Sequence, residues 1–302
     1  MQHKPVRLGT RGSALAIAQS EWVASKLRKA YPDVEIEIVP IVTGGDRSQA
    51  TETPLSSYSE KGIFAKEIEQ ALLADEIDLA VHSMKDLAAT LPSGLVIAAV
   101  PQRVDVRDVL VGVKLADLPS GARVGTGSAR RRALLSQLRP DLQLLEIRGN
   151  IDTRIAKLKN GGYDSIVLAA AGLLRLGHAS VIAEYMDPYS FVPDPGQGAL
   201  AIQARDDDLS TLTLCEGLND PAEFTCVRAE RAFLRALGGG CTSPVGAWAR
   251  LITGKTNGGS TGLAITGMRA NNVGQIVRST ISGDSSEPEE LGSRLADLVA
   301  AG

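Results

Sequence analysis

Short apolar runs alternate with amphipathic stretches twice along this chain, and that rhythm constrains the fold more than any single motif. Val6-Arg7-Leu8 reads as a strand and ends at Gly9-Thr10-Arg11-Gly12-Ser13. Ser13 suits an N-cap, and Leu15, Ala18, Trp22, Val23 and Leu27 place one apolar side on the helix that follows. Residues 35–42 read as a strand whose Pro40 points to a sheet edge or a strand end. A helix at about 63–74, a strand at 78–81 and a strand at 95–100 complete the first set. Val109-Leu110-Val111 opens a second set: strand 122–125, helix 129–138, strand 142–147, helix 151–159, strand 165–169 and a helix near 170–176. Such alternation predicts parallel sheets with helices on both faces. A further buried strand, 199–204, is placed to return the chain to the first domain.

The character changes at Asp220. Asp220-Pro221-Ala222-Glu223 combines an N-cap, Pro at the first helical position and Glu at the third. The helix it starts runs to Leu237 and meets Gly238-Gly239-Gly240-Cys241. Residues 245–251, 261–268 and 275–282 then alternate apolar and polar residues, which predicts a small antiparallel sheet. A last helix begins near Ser286-Glu287-Pro288-Glu289 and ends at about 300. The expected division is 1–100 with 199–218 as a first α/β domain, 101–198 as a second, and 219–302 as a small α+β domain. The polar stretch 43–61 is long for a loop in a compact domain and reads as either a lid or a disordered segment.

Composition narrows the chemistry. The three cysteines, 215, 226 and 241, are odd in number and have no CxxC spacing. That argues against a disulfide framework and a thiolate metal site, and for a reducing compartment. No run approaches 18 uninterrupted apolar residues and no signal segment is evident, so a soluble, cytoplasmic protein is expected, without a membrane partner. Net charge is −3, which disfavours a general nucleic-acid binder. Yet 22 of the 32 basic residues are Arg. Arg matches carboxylates and phosphates bidentately, so local anion sites are expected, against the alternative of simple composition bias.

Ligands of open α/β sheets bind beyond the carboxyl ends of the strands. Arg11 and Ser13 follow the first strand there, and Lys85 and Asp86 another. Gly125-Thr126-Gly127-Ser128 leads to Arg130, Arg131 and Arg132. Cations in a first helical turn oppose the helix dipole, at about 0.3–1 kcal/mol each. An anion at that helix N-terminus would compensate them. Arg148 and Arg154 lie one strand–helix unit away. The pattern is not a P-loop, because GxxxxGK[ST] is absent. Asp86 reads either as a catalytic carboxylate or as the end of a loose Ser83-x-x-Asp86 capping box. His82 reads as a packed histidine or, if folding brings them together, as a partner for Cys241. Cys241 itself is either a small buried hydrophobe after a glycine C-cap or a functional thiol on a glycine hinge.

Seven stretches carry a more specific signal. They are Arg7-Leu8-Gly9-Thr10-Arg11-x-Ser13-x-Leu15-Ala16-x-x-Gln19, Val81-His82-Ser83-Met84-Lys85-Asp86, Gly125-Thr126-x-Ser128-x-Arg130-Arg131, Arg148-Gly149-Asn150-x-x-Thr153-Arg154, Ala171-Gly172-Leu173-x-Arg175-Leu176-Gly177, Pro195-Gly196-Gln197-Gly198 and Gly239-Gly240-Cys241. In order and spacing they resemble the porphobilinogen deaminase (hydroxymethylbilane synthase) family from about residue 6 to 250. The resemblance implies two periplasmic-binding-protein-like α/β domains and a small third domain. It implies a monomeric transferase of tetrapyrrole (heme) biosynthesis. That enzyme joins four porphobilinogen molecules head to tail with loss of ammonia and releases hydroxymethylbilane. A dipyrromethane cofactor would be held as a thioether on Cys241, and Asp86 would be the catalytic carboxylate. Lys85, Ser128, Arg130, Arg131, Arg148, Gly149 and Gln197 would bind the cofactor. Arg11, Ser13, Arg148, Arg154 and Arg175 would bind porphobilinogen and the growing oligopyrrole, with no metal.

Three departures from the family pattern are visible: Gly127 where Ser is frequent, Leu174 where Lys is common, and Thr242-Ser243 in place of apolar or amide residues. A two-lobed binding module that clamps a polycarboxylate would share the fold without the chemistry. The missing signal segment and Cys241 disfavour it. A cysteine hydrolase would lack a clear base and orienting group.

Overall fold

The computed structural model describes residues 5–44, 65–238, 244–255, 261–271 and 274–301. Two compact units emerge, one from residues 1–103 with 199–224, the other from 104–198 with 225–302.

In the first unit, β1 (Val6–Arg11) pairs in parallel with β2 (Ile36–Ile41) and with β3 (Leu79–Ser83). β10 (Leu200–Arg205) runs antiparallel between β3 and β4 (Leu95–Ala99), giving the order β2-β1-β3-β10-β4. The strand at 199–204 therefore does return to the first sheet, but it makes that sheet mixed rather than wholly parallel. Pro40 falls on the edge strand, as its missing donor predicts. Helix α1 (Ala14–Ala30) buries Ala16, Gln19, Ser20, Val23, Ala24 and Leu27 against one face of the sheet. Trp22 belongs to the opposite side: it is 40% exposed, with Lys26 over its ring at 5.3 Å. The expected apolar side was rotated by about one residue, because Gln19 and Ser20 are buried polar members of the true one. Helix α2 (Lys66–Leu73) covers the other face through Ile68, Ala71 and Leu72, which pack with Ile77, Ala80 and Leu95.

The second unit repeats the plan. β5 (Asp108–Gly112) stands antiparallel between β8 (Ser165–Ala169) and β9 (Ile182–Tyr185), and β6 (Arg123–Gly125) pairs in parallel with β7 (Gln143–Leu145) and β8. The order β7-β6-β8-β5-β9 matches the first sheet position for position, β5 standing where β10 stands. Helices α3 (Ala129–Leu138), α4 (Ile151–Lys159) and α5 (Ala170–Arg175) follow β6, β7 and β8. Helix α6 (Leu209–Glu216) and strand β9 have no counterpart in the sequence pattern. β9 has only four residues, too few to show an alternation.

Strands β11 (Val245–Lys255), β12 (Thr261–Ala270) and β13 (Ile276–Asp284) form the predicted antiparallel sheet. Helices α7 (Pro221–Ala236) and α8 (Pro288–Ala301) accompany it, α7 opening with Asp220 accepting from the N–H groups of Ala222 and Glu223. Residues 225–302 share one compact unit with 104–198, whereas the sequence pattern set 219–302 apart. The reason is a polar and apolar seam. Ala247 N–H donates to Pro193 O at 2.9 Å, and Met268 packs in one core with Leu110, Leu134, Phe191 and Val192. The buried Glu230 accepts from Gly196 N–H at 2.7 Å and from Ala249 N–H at 2.9 Å. Among the described residues no helix is long and apolar enough to cross a membrane.

Candidate active site

Each unit carries its own set of candidate site residues beyond the carboxyl ends of its strands. In the first unit, an open pocket is lined by Arg11, Ser13, Gln19, His82, Ser83 and Asp86, among others. Ser13 caps α1 by accepting from Ala16 N–H at 3.3 Å, so its hydroxyl stands at the helix N-terminus. Gln19 donates to Ser83 Oγ at 3.1 Å and ties α1 to β3. After β3 the chain makes a single 3-10 turn, Met84–Asp86, without a capping bond from Ser83. Asp86 is thus not the end of a capping box. Its half-buried carboxylate makes no hydrogen bond or ion pair with another described residue. Lys85 lies beside it on the same turn. His82 is buried with its Nε2 lacking a hydrogen-bond partner. Burial pulls its pKa from 6.5 to about 4; Gln203 works the other way, and the charge of Arg11 adds to the depression.

In the second unit the three arginines of α3 take up different roles. Ser128 caps the helix, accepting from Arg131 N–H at 3.4 Å, as predicted. Arg132 donates to Leu144 O at 2.6 Å and Thr126 O at 3.3 Å, both main-chain acceptors. Arg130 and Arg131 are only 3% and 7% exposed. Both pair with Asp108, whose exposure is 0%, through N–O distances of 2.7 Å. Burial alone would raise the pKa of Asp108. The charges of Arg130 and Arg131, with hydrogen bonds from Arg130 and Gln197, outweigh it and hold the carboxyl far below its ordinary range. The anion required by an arginine-rich first turn therefore exists, and it is the chain's own Asp108. Removing one partner of such a buried pair costs about 3–5 kcal/mol.

The compensation is incomplete. Two guanidiniums face one carboxylate, and Arg130 Nε is buried without a hydrogen-bond partner. Arg154 donates to Gly149 O at 2.7 Å and Arg175 to Gly198 O at 2.9 Å, and neither meets a carboxylate among the described residues. Burial pulls both pKa values down to about 10, with the charge of Arg131 adding to the effect at Arg154. Arg148 Nε pairs with Glu146 at 2.6 Å. Gln197 does not present its amide to an open site: it is wholly buried and donates to Val106 O and Asp108, each at 2.9 Å.

Of the departures, Gly127 has a packing reason, because a Cβ there would stand 3.2 Å from Ile147 O. Leu174 packs on the core formed by Val109, Ile155 and Leu173. Cys241, Thr242-Ser243 and most of the 43–61 stretch lie outside the described residues. The two other cysteines are buried, and burial raises the Cys215 thiol to about 12. Sequence reasoning missed Asp108 and Glu230. The only signal for Asp108 was a carboxylate at the mouth of an apolar run.

The donor set suits a ligand with many carboxylates, since Arg154 and Arg175 meet no carboxylate among the described residues. The family model for "Porphobilinogen deaminase, dipyromethane cofactor binding domain" matches residues 6–213, and that for the C-terminal domain matches 224–301. The chain is 49% identical to a porphobilinogen deaminase of Thermus thermophilus over 98% of its own length and 96% of the relative's. For the Bacillus subtilis protein of that name the identity is 45%, covering 98% and 93%. Among solved structures, an ancestral cationic amino acid solute binding protein is similar at a TM-score of 0.42, with 14% identity over 71% of this chain and 88% of that one. The chain belongs to the porphobilinogen deaminase family.

Proposed function

We propose that this enzyme joins four porphobilinogen molecules head to tail on a dipyrromethane tethered to Cys241 and releases hydroxymethylbilane, acting as a cytoplasmic monomer. The observation that carries the reading is the pair Arg154 and Arg175, desolvated cations without a carboxylate among the described residues. A chain of acetate- and propionate-bearing pyrroles supplies the missing anions. When bound, dipyrromethane supplies a pyrrole terminus for the first coupling. Residues 219–302 serve as the functional domain that carries the tether.

In each condensation the aminomethyl C–N bond breaks, ammonia leaves, and a carbon–carbon bond forms to a pyrrole carbon that loses its proton. Positive charge develops on the pyrrole unit that loses ammonia. Asp86 stabilises it: a fixed carboxylate without a competing partner among the described residues, at the end of β3, is preorganised for a transient cation. The same carboxylate accepts hydrogen bonds from pyrrole N–H groups and helps to move the proton at the coupling carbon. Arg11 and Ser13, at the N-terminus of α1, hold substrate carboxylates beside it, and Lys85, Ser128, Arg130, Arg131, Arg148 and Gly149 hold those of the cofactor. Gln197 acts on the cofactor through Asp108. Stretch 43–61 is proposed to act as a lid.

Asp86→Asn keeps the shape and removes the charge. Turnover is expected to fall by about 10²–10³-fold or more, the scale of losing one preorganised electrostatic group. The protein mass should still include dipyrromethane. Turnover near that of the parent would remove Asp86 from this role.

A further inference from the structure

We infer that Asp108 is the positioning residue for the carboxylate-binding arginines, an inference that rests on the oligopyrrole reading above. Its Oδ1 accepts from Arg131 Nε at 3.0 Å, Arg131 Nη2 at 2.7 Å and Gln197 Nε2 at 2.9 Å, and its Oδ2 accepts from Arg130 Nη1 at 2.7 Å. Each guanidinium is also held from a second direction by a main-chain carbonyl. Arg130 Nη1 donates to Val192 O at 2.8 Å and Arg131 Nη1 to Val167 O at 3.0 Å. Neither group can turn without breaking both contacts. Asp108 itself is fixed at the start of β5, where it pairs with Ala169 of β8 and its carbonyl accepts from Met186 N–H at 2.9 Å.

A buried charge left without its full counter-charge is costly. Here one carboxylate holds two cations, so an excess positive charge is built into the site at a fixed orientation. Arg130 Nε, buried without a hydrogen-bond partner among the described residues, is a donor that this anchor leaves open. Asp108 acts through Arg130 and Arg131 rather than by touching the ligand. Gln197 extends the anchor into the Pro195–Gly198 loop, which Glu230 of α7 holds through Gly196 N–H at 2.7 Å. Arginine orientation is thereby linked to the helix that leads toward Cys241.

The test compares Asp108→Asn and Gln197→Met with the parent holoenzyme. The readouts are intact mass as purified, KM and kcat for porphobilinogen, and the thermal midpoint. Asp108→Asn is expected to lower the fraction of protein carrying dipyrromethane. In the loaded fraction KM should rise about tenfold or more, the scale of losing charge-assisted hydrogen bonds, with kcat moving less. Gln197→Met should shift both in the same direction by a smaller factor. Parent-like dipyrromethane content and KM in these variants would overturn the inference. So would a lowered thermal midpoint at unchanged dipyrromethane content and KM, which is the signature of a merely structural pair. If Asp108→Asn does not fold, Gln197→Met decides between the same outcomes. A parent protein without dipyrromethane would defeat the oligopyrrole reading itself, whatever the variants do.

Discussion

His82 illustrates how a single residue in this chain answers to its surroundings. It sits on β3 one turn from Asp86, buried, with a pKa pulled down to about 4 from 6.5. The unfolded chain therefore takes up that proton before the folded protein does. The stability associated with neutral His82 is complete above pH 6.5 and is lost as pH falls toward 4, by up to ~1.4 kcal/mol per pH unit. His82→Gln should flatten the fall of urea-unfolding free energy between pH 6.5 and 4. An unchanged slope would mean that His82 is not held neutral. Asp86 and Arg11 were legible as strand-end residues, because a charged side chain that closes an apolar run marks where the strand leaves the sheet. Asp108 was not, because its partners lie 22, 23 and 89 positions away in sequence. No local pattern reports contacts of that range.

At the scale of elements, the packing of α8 on α7 makes a counter-intuitive prediction. Gly292 lies inside α8, where glycine is ordinarily about 1 kcal/mol worse than alanine. A Cβ at that position would meet Ala229 O of α7 at 2.2 Å and Phe233 N at 3.0 Å. These are backbone atoms and cannot swing aside. Gly292→Ala should therefore destabilise the protein by about 1–3 kcal/mol, the range for overpacking a filled interface. Urea unfolding measures it, and a stabilised variant would refute the close approach. The helices themselves were readable from their caps, as Ser13, Ser128 and Asp220 all accept from backbone N–H groups near where the sequence placed helix starts. Trp22 was misplaced because a large apolar residue was weighted above Gln19 and Ser20, whose polar atoms are buried in the real interface.

For the molecule as a whole, the two five-stranded sheets share one order, and each takes its antiparallel strand from a segment that has just left the other unit's edge strand. That plan is invisible to sequence periodicity, which reports the spacing of apolar residues along a strand but not the direction of its neighbours. β10 could be assigned to the first sheet from its buried character, yet its direction and that of β5 follow only from the pairing. The chemistry needed still more: the arginine excess pointed to anions, the family motifs pointed to which ones, and the structure located Arg154 and Arg175, which meet no carboxylate among the described residues. The central claim, a covalent oligopyrrole primer, is tested most directly by the intact mass of the purified, active protein. The expected mass exceeds that of the sequence by one dipyrromethane and falls in Cys241→Ser to the mass of the bare chain. An unmodified mass in active protein would contradict the claim.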